Sequence, residues 1–202
     1  MPHLLAFLYQ PGESLVYETV LTSVYKSIEG EKSEKRLLIR IETEVLEAQG
    51  DVYRCRARTH LLEADPQAGP WAVFSQNRSG KILSQENPDS PVSPDLFFPS
   101  FAVDVDDYWE VSDQAGPSSP TPMELQVESF VQRGEELVAV LSCGGEAEVD
   151  EGAASALIEG TIHFSVTRGR KLWSRILCSL AWQNGRKVDS TEETTYLDIK
   201  AP

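Results

Sequence analysis

The sequence predicts an all-β, mostly antiparallel fold: a curved sheet or half-open barrel of about nine to eleven strands, with at most short helices. Two observations carry this. Apolar and polar residues alternate with period two, most cleanly where Leu37, Ile39, Ile41 and Val45 interleave with Leu38, Arg40, Glu42 and Glu44. Turn residues then punctuate the chain at hairpin spacing, at Pro11-Gly12, Gly50-Asp51, Gly134 and Asn184-Gly185.

The elements follow in order. After the Pro11-Gly12 turn, residues 14–28 read as a long strand. Val16, Val20, Val24 and Ile28 share one face, and Leu15, Tyr17, Leu21 and Tyr25 the other. Residues 30–35 read as a charged loop. The alternating segment at 37–45 returns through Gly50 to a strand with Tyr53, Cys55, Ala57, Thr59 and Leu61 on the apolar face. Arg54, Arg56, Arg58 and His60 take the polar one. Apolar must face apolar, so paired residue numbers sum to an even value. The expected register puts Val45 opposite Tyr53, Glu44 opposite Arg54 and Glu42 opposite Arg56. The arginine row is therefore a charge-neutralised strand face rather than an anion site.

Residues 65–70 read as a loop, and 71–75 and 82–84 as short strands around Asn77-Arg78-Ser79-Gly80. The proline-bearing 87–95 is an irregular connection and 111–122 a Pro/Ser-rich link. Between them, Phe97, Phe98, Phe101, Tyr108 and Trp109 surround the acidic Asp104, Asp106 and Asp107. This stretch reads as an extended crossover that plugs aromatics into a shared core. Strands follow near 125–131 and 137–143. Residues 144–154 read as an acidic, glycine-rich loop, with room for one helical turn at 151–156. A closing meander places Ile158, Gly160, Ile162, Phe164 and Val166 on one face, then Ser174, Ile176, Cys178, Leu180 and Trp182, then a last strand over 188–199. Asn184-Gly185 predicts a type I′ turn, with φ > 0 at both residues. The expected organisation is one β domain over 1–202, built from two similar halves, about 1–96 and 123–202.

Composition bounds function. With 202 residues and 41% apolar content, the chain can bury a core without disulfides. A net charge of -14 disfavours nucleic acid and anionic membrane surfaces as partners. Cys55, Cys143 and Cys178 have neither C-x-x-C spacing nor even number, and read as small buried hydrophobes. The apolar run at 4–8 lacks a basic n-region, and no stretch reaches membrane-spanning length. The chain therefore reads as soluble, without an integral membrane segment, and as written cytoplasmic.

Chemistry-bearing constellations fail on spacing. From Asp104, the sixth and twelfth positions of a calcium loop fall on Trp109 and Ala115, so the cluster reads as a solvated turn. Asn77-Arg78-Ser79 matches a glycosylation sequon, but nothing else points to a secreted chain. There is no G-x-S-x-G elbow, and His3, His60 and His163 have no metal-ligand spacing. The residues imply no catalytic group, no metal and no cofactor.

The tryptophans are more informative. Trp182 falls on the apolar face of its strand. Trp173 falls on the opposite face with Arg175, Leu177 and Ala181, so that face is partly apolar too, and either a second layer covers it or it lines a cavity for an apolar ligand.

A family pattern runs through Phe98-Pro99, Val103 and Asp107-Tyr108-Trp109-Glu110, and then through Gly160-Thr161-Ile162-His163-Phe164-Ser165-Val166, Gly169, Leu172 and Ser174. It resembles bacterial β-sheet proteins related to the lipoprotein-localisation (LolA/LolB-like) half-open barrels. An aspartate stands where a glycine is common before Trp109, and Ser174 falls one place early. The resemblance implies a curved antiparallel sheet whose concave side holds an apolar group, and no catalytic residue. The export lipobox of that class is not found here.

The functional expectation is a non-enzymatic binding protein for an apolar or amphipathic ligand, with Trp71, Trp109, Phe164 and Trp173 as the expected lining. The alternative is a protein–protein interaction module.

Overall fold

Eleven strands, all paired antiparallel, form one open sheet in the computed structural model, which describes residues 1–62, 69–86, 98–111, 123–149 and 153–198. No helix occurs among these residues. The strands are β1 (Ser14–Lys26), β2 (Lys32–Gln49), β3 (Val52–Leu61), β4 (Ala72–Asn77), β5 (Ile82–Gln85), β6 (Tyr108–Val111), β7 (Met123–Arg133), β8 (Glu136–Val149), β9 (Ala154–Ser165), β10 (Arg170–Trp182) and β11 (Lys187–Leu197).

Their order across the sheet is β5-β4-β3-β2-β1-β11-β10-β9-β8-β7-β6. Each half is thus a meander, and the two join where the first strand pairs the last, from Val16↔Leu197 to Lys26↔Lys187. The chain leaves the first meander at one edge of the sheet, β5, and enters the second at the other, β6.

That crossover is possible because the sheet curls. Phe98 donates its N–H to the Ser79 carbonyl at the β4–β5 turn, and its ring lies 6.4 Å from that of Trp109 on β6. In a flat sheet β4 and β6 would stand roughly 43 Å apart, at about 4.8 Å per strand. One phenylalanine touches both, so the two meanders face each other across an enclosed interior.

The interior is filled by two segments outside the sheet. One is the crossover, through Phe98 and Val103. The other is the N-terminal strap, in which Leu5, Ala6 and Phe7 are all buried. Three consecutive buried residues on an extended backbone mean that it is covered on both sides, since successive side chains point opposite ways. The strap is held from both halves. Phe7 N–H donates to Arg78 O at 2.7 Å, Leu8 N–H to Gly169 O at 3.1 Å, and Tyr53 Oη to Phe7 O at 2.9 Å. Strap and crossover bridge each other at His3↔Val103. The central stretch of the sequence is therefore architectural as expected, but not uniformly buried: Phe101 and Tyr108 are exposed. Phe97 lies outside the described residues.

Several local expectations change. The even-sum rule holds for the β2–β3 register, but two residues away from the expected pairing: Val45 faces Cys55, Glu44 faces Arg56 and Glu42 faces Arg58. The tight turn pairs Gln49 with Val52, an odd sum, and a bulge between Val45 and Glu47 restores the parity that puts apolar on apolar. The 30–35 loop is shorter than expected, because β2 starts at Lys32. The 144–154 loop is largely strand. Gly144, Gly145 and Glu146 pair with Glu159, Ile158 and Leu157, the long β9 partner overriding the weak strand preference of glycine. The helical turn expected at 151–156 gives way to β9 from Ala154, with 151 and 152 outside the described residues. The connections expected at 65–68, 87–95 and 112–122 also lie outside them. At Asn184-Gly185 only Gly185 has positive φ, +87°. Gly185 N–H bonds Trp182 O and Trp182 N–H bonds Arg186 O, so the turn is a type I turn closed by a left-handed glycine.

Candidate binding face

Register assigns every strand residue to one of two faces, because directly paired residues point the same way. The inner face carries successive cross-strand rows. One runs Ile39, Thr19, Thr194, Ser174, Ile162, Leu141; the next runs Leu37, Leu21, Glu192, Ile176, Gly160, Cys143. Further out lie Ser23, Ser190, Cys178, Ile158, and then Tyr25, Val188, Leu180, Ala156.

The face divides in two. At the strap end, Val45, Cys55, Phe74, Leu125, Leu141, Ile162 and Phe164 join Leu5, Phe7, Phe98 and Val103 in one core cluster. At the other end, Leu21, Leu37, Leu180, Trp182 and Val188 stand outside that cluster and are only half-buried. Ile176 marks the border, half-buried against the core.

Two rows of hydroxyls cross the face, one at the border of the core and one between Leu21 and Tyr25. Thr19 Oγ1 and Thr194 Oγ1 lie 2.8 Å apart, Ser23 Oγ and Ser190 Oγ 3.0 Å, and Thr194 donates to Glu192 Oε1 at 3.2 Å. Ser174 Oγ is buried beside them with no hydrogen-bond partner among the described residues.

The four aromatics selected from sequence do not line one cavity. Phe164 is wholly buried, its ring 4.5 Å from Phe98 and 5.5 Å from Phe7, so its place in the interior is already filled. Trp109 packs half-buried at the edge of the same core. Trp71 and Trp173 sit on the outer face. Trp71 lies under the guanidinium carbons of Arg56 and Arg58, 4.5 and 4.4 Å from its ring centre. Trp173 donates Nε1–H to Glu193 at 3.1 Å and leans on His163, with ring centres 5.0 Å apart. What sequence reasoning missed is the far inner-face set, Leu21, Leu37, Glu192, Leu180 and Val188. Period two alone assigns these residues a face; knowing that β1 pairs β11 is what gathers them.

On the outer face, charges of β1, β2 and β3 pair across the strands. Arg56 pairs Glu44 and Arg58 pairs Glu42, each at 2.6 Å, and Arg40 pairs Glu18 at 2.6 Å. Burial opposes ionisation of Glu42, but the hydrogen bond and charge of Arg58, joined by His60, outweigh it and hold the carboxyl below its ordinary value. A depressed folded value means that this stabilisation is present above the unfolded carboxyl range and is lost as pH falls through the folded one. Glu42→Gln should therefore cost stability at neutral pH, and the gap to wild type should close in acid, once pH has fallen through the lowered folded value. Urea melts at neutral and acid pH check this.

Other reactive groups are quiet. Burial pushes the Cys55 thiol up to about 12 and Cys143 to about 11, so neither is a nucleophile at neutral pH. Burial, with Arg133 nearby, lowers the pKa of His163. In the acidic turn, Asp107 Oδ2 accepts from Asp104 N and Asp104 Oδ1 from Val105 N, while Asp104 also meets the N-terminal ammonium at 3.2 Å. These carboxylates serve the turn, which places Asp106 at φ +72°. Among the described residues no helix is long and apolar enough to cross a membrane.

No family model matches the chain, and no curated sequence is similar to it. A solved structure titled for lipid–protein interactions in lipovitellin matches with a TM-score of 0.57 over 96% of this chain, at 12% identity. The chain spans about a quarter of that protein, 26% of its length, and the likeness is one of fold.

Proposed function

We propose that the protein binds an apolar or amphipathic ligand, without catalysis, on the far inner face of the sheet. One observation carries the reading. The strap and crossover fill only one end of the interior. At the other end the sheet presents Leu21, Leu37, Leu180, Trp182 and Val188 outside the core cluster, on the concave side and only half-buried. Large apolar side chains on one concave surface, beside a few polar groups, are the makings of a small-molecule site. The fold likeness to a structure titled for lipid–protein interactions supports the same reading. The buried thiols and the paired outer-face charges offer no competing chemistry.

The test is saturable binding of a polarity-sensitive apolar dye, together with mass spectrometry of lipid carried through purification. Wild type should bind the dye. Leu180→Glu should weaken binding by about tenfold or more while the far-UV circular dichroism stays unchanged, since a carboxylate there must be desolvated by the ligand. Absence of saturable binding by wild type would overturn the reading.

A further inference from the structure

We infer that Glu192 is the head-group anchor of this face, and that the ligand class is cationic amphiphiles: an apolar chain ending in an amine or quaternary ammonium. The inference rests on the binding reading above and narrows it.

The argument starts from position. On β11, inner-face residues alternate as Val188, Ser190, Glu192, Thr194 and Tyr196, each apolar or hydroxyl-bearing except one. Glu192 pairs with Leu21 on one side and Ile176 on the other. A carboxylate directly between two aliphatic neighbours gains nothing from either of them. It has one hydrogen bond, from Thr194 Oγ1, and no cation at ion-pair distance among the described residues.

Other glutamates of the central strands lie on the outer face, most of them matched: Glu18 by Arg40, Glu42 by Arg58, Glu44 by Arg56, and Glu193 by the Trp173 N–H. Glu159, also on the outer face, has no such partner among the described residues. Glu192 is the one inner-face carboxylate on β1, β9, β10 and β11, and it is exposed there. The inner-face cations of the neighbouring strands stand off its row: Lys35 lies one row outward and two strands away, opposite Ser23, and the buried Lys171 lies on β10 at the strap end, opposite Phe164. Lys35 marks the rim at the outer end of the same surface.

The geometry sorts ligand chemistry. An apolar chain laid along the strands over Val188 and Leu180, and ending between Leu21 and Ile176, brings its polar end to Glu192. An ammonium there gains a charge-assisted partner that the protein leaves unused. A sulfate or carboxylate there meets like charge, in a chain whose net charge is already -14. Ligand discrimination is then built from repulsion as well as attraction.

The experiment compares three twelve-carbon amphiphiles on the full chain below their critical micelle concentrations: dodecyltrimethylammonium, dodecyl maltoside and dodecyl sulfate. Calorimetry runs at about 0.2 M salt, so that the general field of the acidic surface is screened. Wild type should bind the ammonium roughly tenfold tighter than the maltoside, and the sulfate most weakly. Glu192→Gln keeps an acceptor for Thr194 and removes the charge. It should abolish the ammonium preference over the maltoside. Glu159→Gln removes the same charge from the outer face and should keep the preference. If the maltoside binds but Glu192→Gln alters the ammonium no more than Glu159→Gln does, the anchor role is wrong while the binding face stands. If none of the three binds saturably, the binding face itself is wrong.

Discussion

Phe7→Ala should lower stability by about 3–5 kcal/mol, the range for removing a buried aromatic, and lower Tm by roughly 10 °C for a chain this long. The side chain is 4% exposed and touches three other rings, with centres 5.4 Å from Tyr9, 5.5 Å from Phe98 and 5.5 Å from Phe164. Those rings come from the strap, the crossover and β9, so the cavity left behind is walled by elements of different origin and closes poorly. The backbone bonds of Phe7 to Arg78 and from Tyr53 remain possible in alanine, so the loss measures packing. Trp109→Ala is the internal comparison. The ring is half-buried at the edge of the core, and its removal should cost clearly less. Equal losses in urea melts of the two variants, or a loss below about 1 kcal/mol at Phe7, would show that the strap is not a structural member.

The strap also marks where the sequence stops being legible. Strands announce themselves by alternation, and β1, β3, β9 and β10 stand close to where the pattern puts them. Residues 5–7 have no period, because all three are buried, and the apolar run reads only as a short hydrophobic N-terminus. The β2–β3 register was half legible: the parity came from the faces, but the bulge that shifts it depends on the turn. The hydroxyl and apolar rows of the inner face needed the pairing of the first strand with the last, a contact across nearly the whole chain. The tryptophans misled because a large aromatic has two uses on a sheet. Trp71 and Trp173 stack on outer-face arginines and a histidine rather than lining the interior.

Two glycines of the family-like pattern do have structural causes. At Gly169 φ is +59°, and an added methyl would collide with the Leu8 backbone nitrogen and side chain of the strap. Gly160 has a different cause, which sets the second large effect. A methyl there would meet the Arg175 carbonyl oxygen at 2.5 Å, the Ile176 Cα at 3.0 Å and Cys143 Sγ at 3.1 Å. The first two are backbone atoms of β10, so relief requires the β9–β10 ladder to open rather than a side chain to turn. Gly160→Ala should therefore cost about 3 kcal/mol, at the upper end for overpacking, despite the better strand preference of alanine. Gly160→Val should leave little folded protein. Removing the thiol in Cys143→Ala relieves only the third contact, so the double variant should recover less than half of the loss. Full recovery would place the crowding in the side chain and not in the sheet. The same row carries Ile176 and Glu192, so a partly folded Gly160→Ala should also bind apolar dye less tightly. A backbone displaced at Ile176 moves the floor of the proposed site.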